Sequence, residues 1–385
     1  MLGDGGPRPA SCVVIGAGVI GSCLAVRLAG AGVQVTLLDQ AGPGQAATRW
    51  SFAWLNSSDK APRGYHELNH AGMRAWAALA GELGGAAWYR PAGNLEWAAT
   101  AAGHDQLTAR VDRLASWGYP ARMIGAAGAA ALEPALRWPA APAGVAWFPA
   151  EGYLLTGPLI SQLTAAAAER GVTVRTGPAG QVTGFAAGRG TVRAVRTAAG
   201  PQIPADTVVC CAGRWSPALA ALAGAAGPVP LVPWEPPRAQ APGLVVQAGP
   251  AGPGGPARVV HAPGVYLRPH AGGLVHLEAP DAAVDLHTPG AELRRWADEL
   301  LRRARQVTGG LDGAQVAAYQ VCVRPMPADG QPMVGWLPGP RNVYLAVTHS
   351  GVTLGAYLAQ LITGELVTGT APAELHPYRP DRFLT

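Results

Sequence analysis

An α/β fold (α+β overall) is the class this sequence predicts, with one domain built on a parallel sheet and a mixed-sheet domain inserted into it. Three observations predict it. Residues 12–38 read as strand, glycine-rich turn, helix and strand. Short β-like runs separated by Pro and Gly follow one another between 229 and 278. The chain then closes on a strand and a helix between 342 and 366. At 385 residues it exceeds one simple core, so two domains are expected.

The elements follow in order. The apolar run 12–16 is a buried strand, and the apolar spacing of 19–29 makes a helix that Gly30 and Gly32 end. Residues 33–38 form the second strand, 40–60 have loop character, and 65–83 carry apolar positions at helical spacing. Beyond Gly84 the pattern changes to a short strand at 94–98, a helix at 104–116 and a Pro-rich stretch at 138–142. Residues 158–170 return to helix and 171–175 to strand, and strands at 192–197 and 207–210 lead back toward the first sheet. The runs 229–232, 244–247, 258–261, 265–268 and 274–277 read as a meander. Residues 292–306 form an amphipathic surface helix, before the closing strand 342–347 and helix 352–366. This order divides the chain into a discontinuous nucleotide domain (1–83, 147–222 and 311–385) and an inserted domain (84–146 and 223–310).

The chemistry begins at Gly16-Ala17-Gly18-Val19-Ile20-Gly21, a GxGxxG that follows a strand and opens a helix. Asp39 ends the second strand, which completes a Rossmann-type dinucleotide fingerprint. Gly16 makes the tight turn, Gly18 lets a pyrophosphate approach the backbone, and Gly21 packs helix on strand. The helix N-terminus offers unpaired N–H groups and partial positive charge to the phosphates. Asp39 accepts hydrogen bonds from ribose hydroxyls and disfavours a 2′-phosphate, leaving FAD and NAD both open at this point.

Composition narrows the rest. Net charge is +5, and the one local cluster (Arg294, Arg295, Arg302, Arg303 and Arg305) is interleaved with Asp298 and Glu299. It reads as a solvated helix face, so no nucleic-acid partner is expected. Lys60 is the only lysine, at the surface or in the site, so no other lysine can act as base or cation. The five cysteines (Cys12, Cys23, Cys210, Cys211 and Cys322) are odd in number and lack metal-type or disulfide-type spacing. With no signal-peptide pattern and no uninterrupted apolar run of about 18 residues, a cytoplasmic protein without a membrane span is expected.

Four further motifs appear in order: Glu151-Gly152-Tyr153, then Asp206-Thr207-Val208-Val209-Cys210-Cys211-Ala212-Gly213-Arg214-Trp215-Ser216, then Arg324-Pro325-Met326-Pro327-Ala328-Asp329-Gly330-Gln331-Pro332, then Thr348-His349-Ser350-Gly351-Val352 after a strand. Together they resemble the D-amino-acid oxidase superfamily of FAD-dependent oxidoreductases, most closely its glycine oxidase, sarcosine oxidase and D-amino-acid dehydrogenase branch. The resemblance covers nearly the whole chain. It implies FAD lying extended on the nucleotide domain, with the flavin ring at the domain boundary. The implied cofactor set is Gly16, Gly18, Val19, Ile20, Gly21, Asp39 and Gln40, with Thr48, Arg49 and Ser51 in the following loop. Val182 falls at the adenine, and Ala212, Gly213 and Trp215 lie in the second motif. Ser350, Gly351, Val352, Thr353 and Leu354 form the helix start beside the flavin pyrimidine edge, where N–H groups stabilise negative charge.

The implied reaction is oxidation of a C–N bond: hydride passes from the carbon beside an amine to flavin N5, and the imine hydrolyses. Positioning does most of that work. By resemblance Arg324 grips the substrate carboxylate through its guanidinium fork, a structural ion pair being the plainer alternative, and Tyr266 faces the flavin. Strand alternation leaves Arg268 and His270 as secondary candidates. Cys322 falls on the cysteine that sarcosine oxidases bond to flavin; packing is the favoured reading of it. Their oxygen-activating lysine falls near Val275, which leaves oxidase and dehydrogenase both open, with oxygen or a quinone or other carrier as acceptor. Trp50, Phe52 and Trp54 are core residues or, lining the pocket, point to a bulky or cyclic substrate. Two other readings compete: an NAD-dependent dehydrogenase, and a catalytically idle flavoprotein serving as a subunit or redox partner.

Overall fold

The computed structural model describes residues 8–138, 144–236 and 239–384. The Pro-rich stretch expected at 138–142 lies outside them after Trp138. Strand β1 (Ser11–Ile15), helix α1 (Val19–Gly30) and strand β2 (Gln34–Asp39) form the opening unit. Ala31 caps the helix and Gly32, at φ +75°, supplies the left-handed residue that turns the chain into β2. Strands Thr207–Cys210 and Gln34–Asp39 flank β1 in parallel, and Thr173–Thr176 lies outside β2. Val343–Val347 adds in parallel and Met333–Trp336 antiparallel, closing a six-stranded sheet. One face of it packs on α1 and the helices Arg63–Glu82, Thr156–Glu169 and Gly351–Thr368. The other face packs on a three-stranded antiparallel layer.

The second body is an eight-stranded mixed sheet. Its core lies against helix Gly290–Val307, whose Ala297, Leu300, Leu301 and Ala304 are buried. Arg294, Arg302 and Arg303 of that helix are paired with Asp298, Glu299 and Asp281. Among the described residues no helix is long and apolar enough to cross a membrane.

Three expectations are corrected. Thr191–Thr197 pairs only with Val182–Gly188 and Gln202–Pro204, in the small antiparallel layer and not in the nucleotide sheet. Its outward-facing Arg193 and Arg196 explain this, since a central parallel strand is buried on both faces. The run 229–232 forms only the single bridge Leu231↔Pro327, because prolines on both sides remove ladder donors. The boundaries at 146/147 and 311 also move. Val145–Phe148 and Gln315–Val323 belong wholly to the eight-stranded sheet, so the chain crosses back after Phe148 and after Val323.

Candidate functional site

The site is one continuous cavity of about 1040 Å³ between the two sheets, running from Asp39 to Arg324. Its nucleotide end is built by the GxGxxG turn. Gly16 sits at φ +100°, and a Cβ there would stand 2.5 Å from the Cys211 carbonyl oxygen. A Cβ on Gly21 would stand 1.9 Å from the Gly16 carbonyl oxygen, so helix and turn touch backbone to backbone. Gly18 caps α1 without a side-chain bond. The Val19 N–H donates to Thr48 Oγ1 at 3.0 Å, which leaves the next amides of the first turn for an anion. Asp39 is held by three backbone amides, those of Ala17, Ala41 and Gly42, each at 2.9 Å. One lone pair remains on Oδ2 for a hydroxyl donor.

The middle of the cavity is walled by Thr48, residues 50–54 and the start of helix Gly351–Thr368. That helix start is pinned from outside. Trp76 Nε1 donates to the Val352 and Thr353 carbonyls at 2.8 and 3.1 Å, and Tyr65 Oη meets Ser350 Oγ at 2.7 Å. A Cβ on Gly72 would stand 2.6 Å from the Thr353 carbonyl oxygen, so helix Arg63–Glu82 lies directly on this turn. Trp50, Phe52 and Trp54 all reach the cavity wall. Ala53 between them takes φ +56°; its N–H donates to Ser51 Oγ at 2.9 Å, and its carbonyl accepts from the Leu154 N–H at 3.0 Å.

The far end is a floor made by a single register row of the eight-stranded sheet. Gln320, Val245, Glu278, Tyr266 and His261 are successive cross-strand partners. All five line the cavity. Cys322 and Gly243 form the next row on the same face, and Arg324 follows where the strand ends. The point where a Gly243 Cβ would sit is 3.6 Å from both Arg324 Cζ and Glu278 Oε1, so the absent side chain leaves room for these two groups to converge. Arg324 Nε donates to the Ala241 carbonyl at 3.0 Å and Nη2 to Pro242 at 3.2 Å. Nη1 has no partner among the described residues. Glu278 has its pKa raised by burial, with Arg324 pulling the other way. The Tyr266 ring lies 4.2 Å from that of His261, tilted by 42°, and its hydroxyl is pushed up to about 12 by burial and then by Glu96. His261 is buried, with Nδ1 3.9 Å from Glu96 and Nε2 unpartnered.

Lys60 and His349 also line the cavity. Burial lowers the Lys60 pKa and pushes His349 down to about 3, with Lys60 and Arg324 adding to the second effect. The segment that carries Trp54, Asn56 and Lys60 hangs on Glu151. This fully buried carboxylate accepts from Trp54 Nε1, the Ser57 and Ser58 amides, Asn94 Nδ2 and Tyr119 Oη at 2.9–3.2 Å.

The cavity thus gathers most of the residues singled out in the sequence: Gly16, Gly18, Val19, Ile20, Asp39, Gln40, Thr48, Ser51, Val182, Ala212, Gly213, Trp215, Tyr266, Cys322, Arg324, Ser350, Gly351, Val352 and Thr353. Gly21 and Leu354 lie behind it as packing, and Arg49 points outward, bonded to Gln45 at 3.3 Å. Arg268 shares the face of Tyr266, two residues away, so alternation does not separate them. It stays off the cavity because Phe52 lies over it, with Cζ 5.6 Å from the ring centroid. His270 stacks on His276 at 4.0 Å, also off the cavity. Cys322 is buried, and burial pushes its thiol up to about 12. Val275 faces the opposite core under helix Gly290–Val307. Glu278, His261 and His349 were not legible as site residues, because only strand register and the domain crossing bring them together; Lys60 stood open between surface and site.

The glycine cradle, the first-turn amides, the Asp39 lone pair and the length of the cavity fit an extended dinucleotide. Comparisons agree. The family model for FAD dependent oxidoreductases (DAO) matches residues 11–364. A glycine oxidase from Pseudomonas putida is 33% identical over 209 residues, 53% of each chain, so the match spans about half the length of that curated relative. Among solved structures, L-proline dehydrogenase from P. horikoshii superposes with a TM-score of 0.82 at 19% identity, covering 98% of both chains. Glycine oxidase from Geobacillus kaustophilus gives 0.78 at 21%, covering 97% of this chain and 98% of that one. Iminodiacetate oxidase from Chelativorans sp. BNC1 gives 0.77 at 24%, covering 96% and 98%. At these identities the structures share the fold.

Proposed function

We propose that this chain, which belongs to the DAO family of FAD-dependent oxidoreductases, oxidises the C–N bond of an amino acid or related carboxylate-bearing amine to an imine. The observation that carries this reading is the convergence of Arg324 and Glu278 over Gly243 at the end of the cavity opposite the GxGxxG turn. The bound flavin supplies a two-electron acceptor for the hydride of the carbon beside the amine. The residues of the chain supply position and charge. Arg324 offers Nη1 to the substrate carboxylate, because its Nε and Nη2 are already bonded to strand carbonyls. Glu278 stands beside it, where a substrate ammonium completes the charge pairing. Its raised pKa suits it to take the amine proton, leaving the neutral amine that oxidation requires. Tyr266, next in the row, donates its phenol proton to carboxylate or amine, and Trp50, Phe52 and Trp54 give an apolar wall for the side chain. The amine loses one hydrogen from carbon and one from nitrogen with two electrons, and water converts the imine to a carbonyl compound and an amine. Gly16, Gly18, Thr48, Asp39, Val182, Gly213 and the Ser350–Thr353 turn hold the cofactor in this reading, without a bond from Cys322.

The test is anaerobic. Visible flavin absorption is followed while D-, L-, N-methyl and cyclic amino acids are added. Bleaching by at least one of them is expected. A yellow protein that none of them bleaches overturns the amine reading and leaves an idle flavoprotein; a colourless protein would point to NAD instead. The speed of air reoxidation then separates oxygen from a quinone or other carrier as acceptor.

A further inference from the structure

Within the floor row, His261 has one nitrogen with nothing to meet. The residue lines the cavity, yet it is only 4% exposed, because the rings of Trp54 and Tyr266 lie 4.2 Å from its own on either contact. Nδ1 faces the carboxylate of Glu96 at 3.9 Å, and Glu96 is the cross-strand partner of His261 on the strand beyond it. Arg110 pairs with that carboxylate and holds its charge in place. A carboxylate beside Nδ1 keeps the ring proton there, so Nε2 carries the lone pair. Nε2, across the ring from Glu96, has no partner among the described residues. A buried acceptor left without a donor costs about 1–3 kcal/mol, so a donor brought in by a ligand is matched to it. The spacing suits such a ligand. The strands of Gly243, Glu278, Tyr266 and His261 are successive neighbours in the sheet, about 4.8 Å apart, so the row spans about 14 Å. Arg324 Cζ stands over its Gly243 end. A guanidinium–carboxylate pair, the two bonds from carboxylate carbon to amine nitrogen and the reach of an imidazole side chain cover about 11 Å of that span, and the remaining length of about 3 Å is one hydrogen bond.

We propose that His261 is a further substrate-binding residue: its Nε2 accepts an N–H of the amine whose carboxylate lies on Arg324, and Glu96 keeps the ring in the tautomer that can accept. The amine then stands between two acceptors of different kinds. Glu278 takes the ammonium proton, whereas neutral His261 takes a hydrogen bond and no proton. The nitrogen keeps its lone pair, and the grip on its N–H sets how the neighbouring C–H is turned. The substrate class narrows accordingly to a nitrogen that still bears hydrogen after Glu278 has acted, a primary or secondary amine. A tertiary amine brings Nε2 no donor. This inference rests on the amine-oxidation reading above and deepens it.

Small anions test it on the flavin-loaded protein without turnover. Glycolate and fluoroacetate are nearly the same size, and only glycolate puts a hydrogen-bond donor where the amine sits. Each is titrated anaerobically, reading the perturbation of the flavin absorption bands. Glycolate is expected to bind about fivefold or more tightly. His261→Phe removes that advantage and leaves fluoroacetate affinity within about twofold, and His261→Gln, whose side-chain carbonyl still accepts, keeps part of it. Nitrogen NMR of the histidine rings adds a readout that packing alone does not move: glycolate shifts the Nε2 resonance of His261 and fluoroacetate does not. Equal binding of the two anions by the wild type overturns the proposal. So does an advantage that survives His261→Phe, or a His261→Phe variant that weakens both anions alike. Glu278→Met keeps the two readings apart. If it abolishes the glycolate advantage while His261→Phe does not, Glu278 alone meets the donor and only the role of His261 fails. If neither anion perturbs the flavin at any concentration, the carboxylate-bearing substrate fails and His261 with it.

Discussion

Replacing Glu151 by Gln tests whether the loop that walls the site is held by one buried carboxylate. Oε1 accepts from the Ser57 and Ser58 amides and from Tyr119, and Oε2 accepts from Trp54 Nε1 and Asn94 Nδ2. The amide oxygen of Gln can take over the Oε1 role. Its NH2 then faces two donors. Asn94 can turn its own Oδ1 toward it, since that oxygen has no partner now. The Trp54 indole N–H cannot turn, and a buried donor without an acceptor costs about 1–3 kcal/mol. Relief of the buried charge offsets part of this, so a net loss of about 1–2 kcal/mol is expected for Glu151→Gln. Glu151→Ala leaves all five donors unpaired and opens a cavity, and a loss of about 4 kcal/mol or more follows. The assay is urea unfolding of the flavin-loaded protein, followed by tryptophan fluorescence, with the two midpoints compared to wild type. Losses for the two variants that are equal, or both below about 0.5 kcal/mol, refute the reasoning. A structural role also predicts that Glu151→Gln weakens carboxylate binding through the displaced Trp54–Lys60 segment, although Glu151 itself does not line the cavity.

Gly21→Ala puts a methyl 1.9 Å from the Gly16 carbonyl oxygen, so the ratio of flavin to protein absorbance falls at least severalfold; Gly364→Ala, at an exposed position with open space around its Cβ, stabilises by about 0.5–1 kcal/mol and keeps its flavin. Arg324→Met lowers kcat/KM for a carboxylate-bearing amine by about 30-fold or more while changing that for its uncharged amide far less, and an equal loss for both speaks against the carboxylate grip. Burial, then Arg268, pushes His270 down to about 4 from an ordinary 6.5. The unfolded chain therefore binds the extra proton first as pH falls, and the stability present above 6.5 drains away toward 4. His270→Phe flattens the fall of the urea midpoint across that window; an unchanged slope contradicts the assignment. Cys322 is held as a thiol, and the thiolate is the reactive form. Acid precipitation accordingly releases free flavin into the supernatant, and a yellow pellet overturns this.

How much of this was legible depends on how far apart the interacting residues are. The opening unit was readable almost to the residue because Gly16, Gly21 and Asp39 act within 24 positions of one another. Helix ends moved by two or three residues, as at Arg63 and Ala101, where Pro62 and Thr100 start the turn earlier than the apolar spacing shows. Strand Gln315–Val323 was missed outright. Its Gln315, Ala317 and Gln320 are exposed and its first half mixes alanines with these polar positions, so only pairing with Pro242–Gly249 makes it a strand. The floor of the site was hidden for the same reason. Glu278 and Tyr266 are both ordinary strand residues until register sets them side by side, and Gly243 is an ordinary glycine until Arg324 and Glu278 converge on the space it leaves. The sequence reveals local cofactor geometry well, and it reveals substrate geometry only where a motif residue such as Arg324 happens to sit in it.

The contrast between Arg268 and Arg324 shows what separates a structural cation from one available to a ligand. Both lie on the cavity-facing side of the same sheet. Arg268 is fully buried, with Nε donating to the Phe52 carbonyl, Nη1 to Pro269 and Nη2 to His276 Nδ1. The rings of Phe52 and Tyr153 lie 5.6 and 5.2 Å from its Cζ. No carboxylate pairs with it among the described residues, and burial pushes its pKa down to about 9; the charge is held by carbonyl dipoles and aromatic faces that leave no opening for a ligand. Such a residue ties the meander to the 51–54 loop and can do little else. Arg324 satisfies Nε and Nη2 in the same way but keeps Nη1 unspent and reachable from the cavity. A donor left unspent inside the cavity is the feature that specifies a ligand, and in Arg324 it calls for an anion.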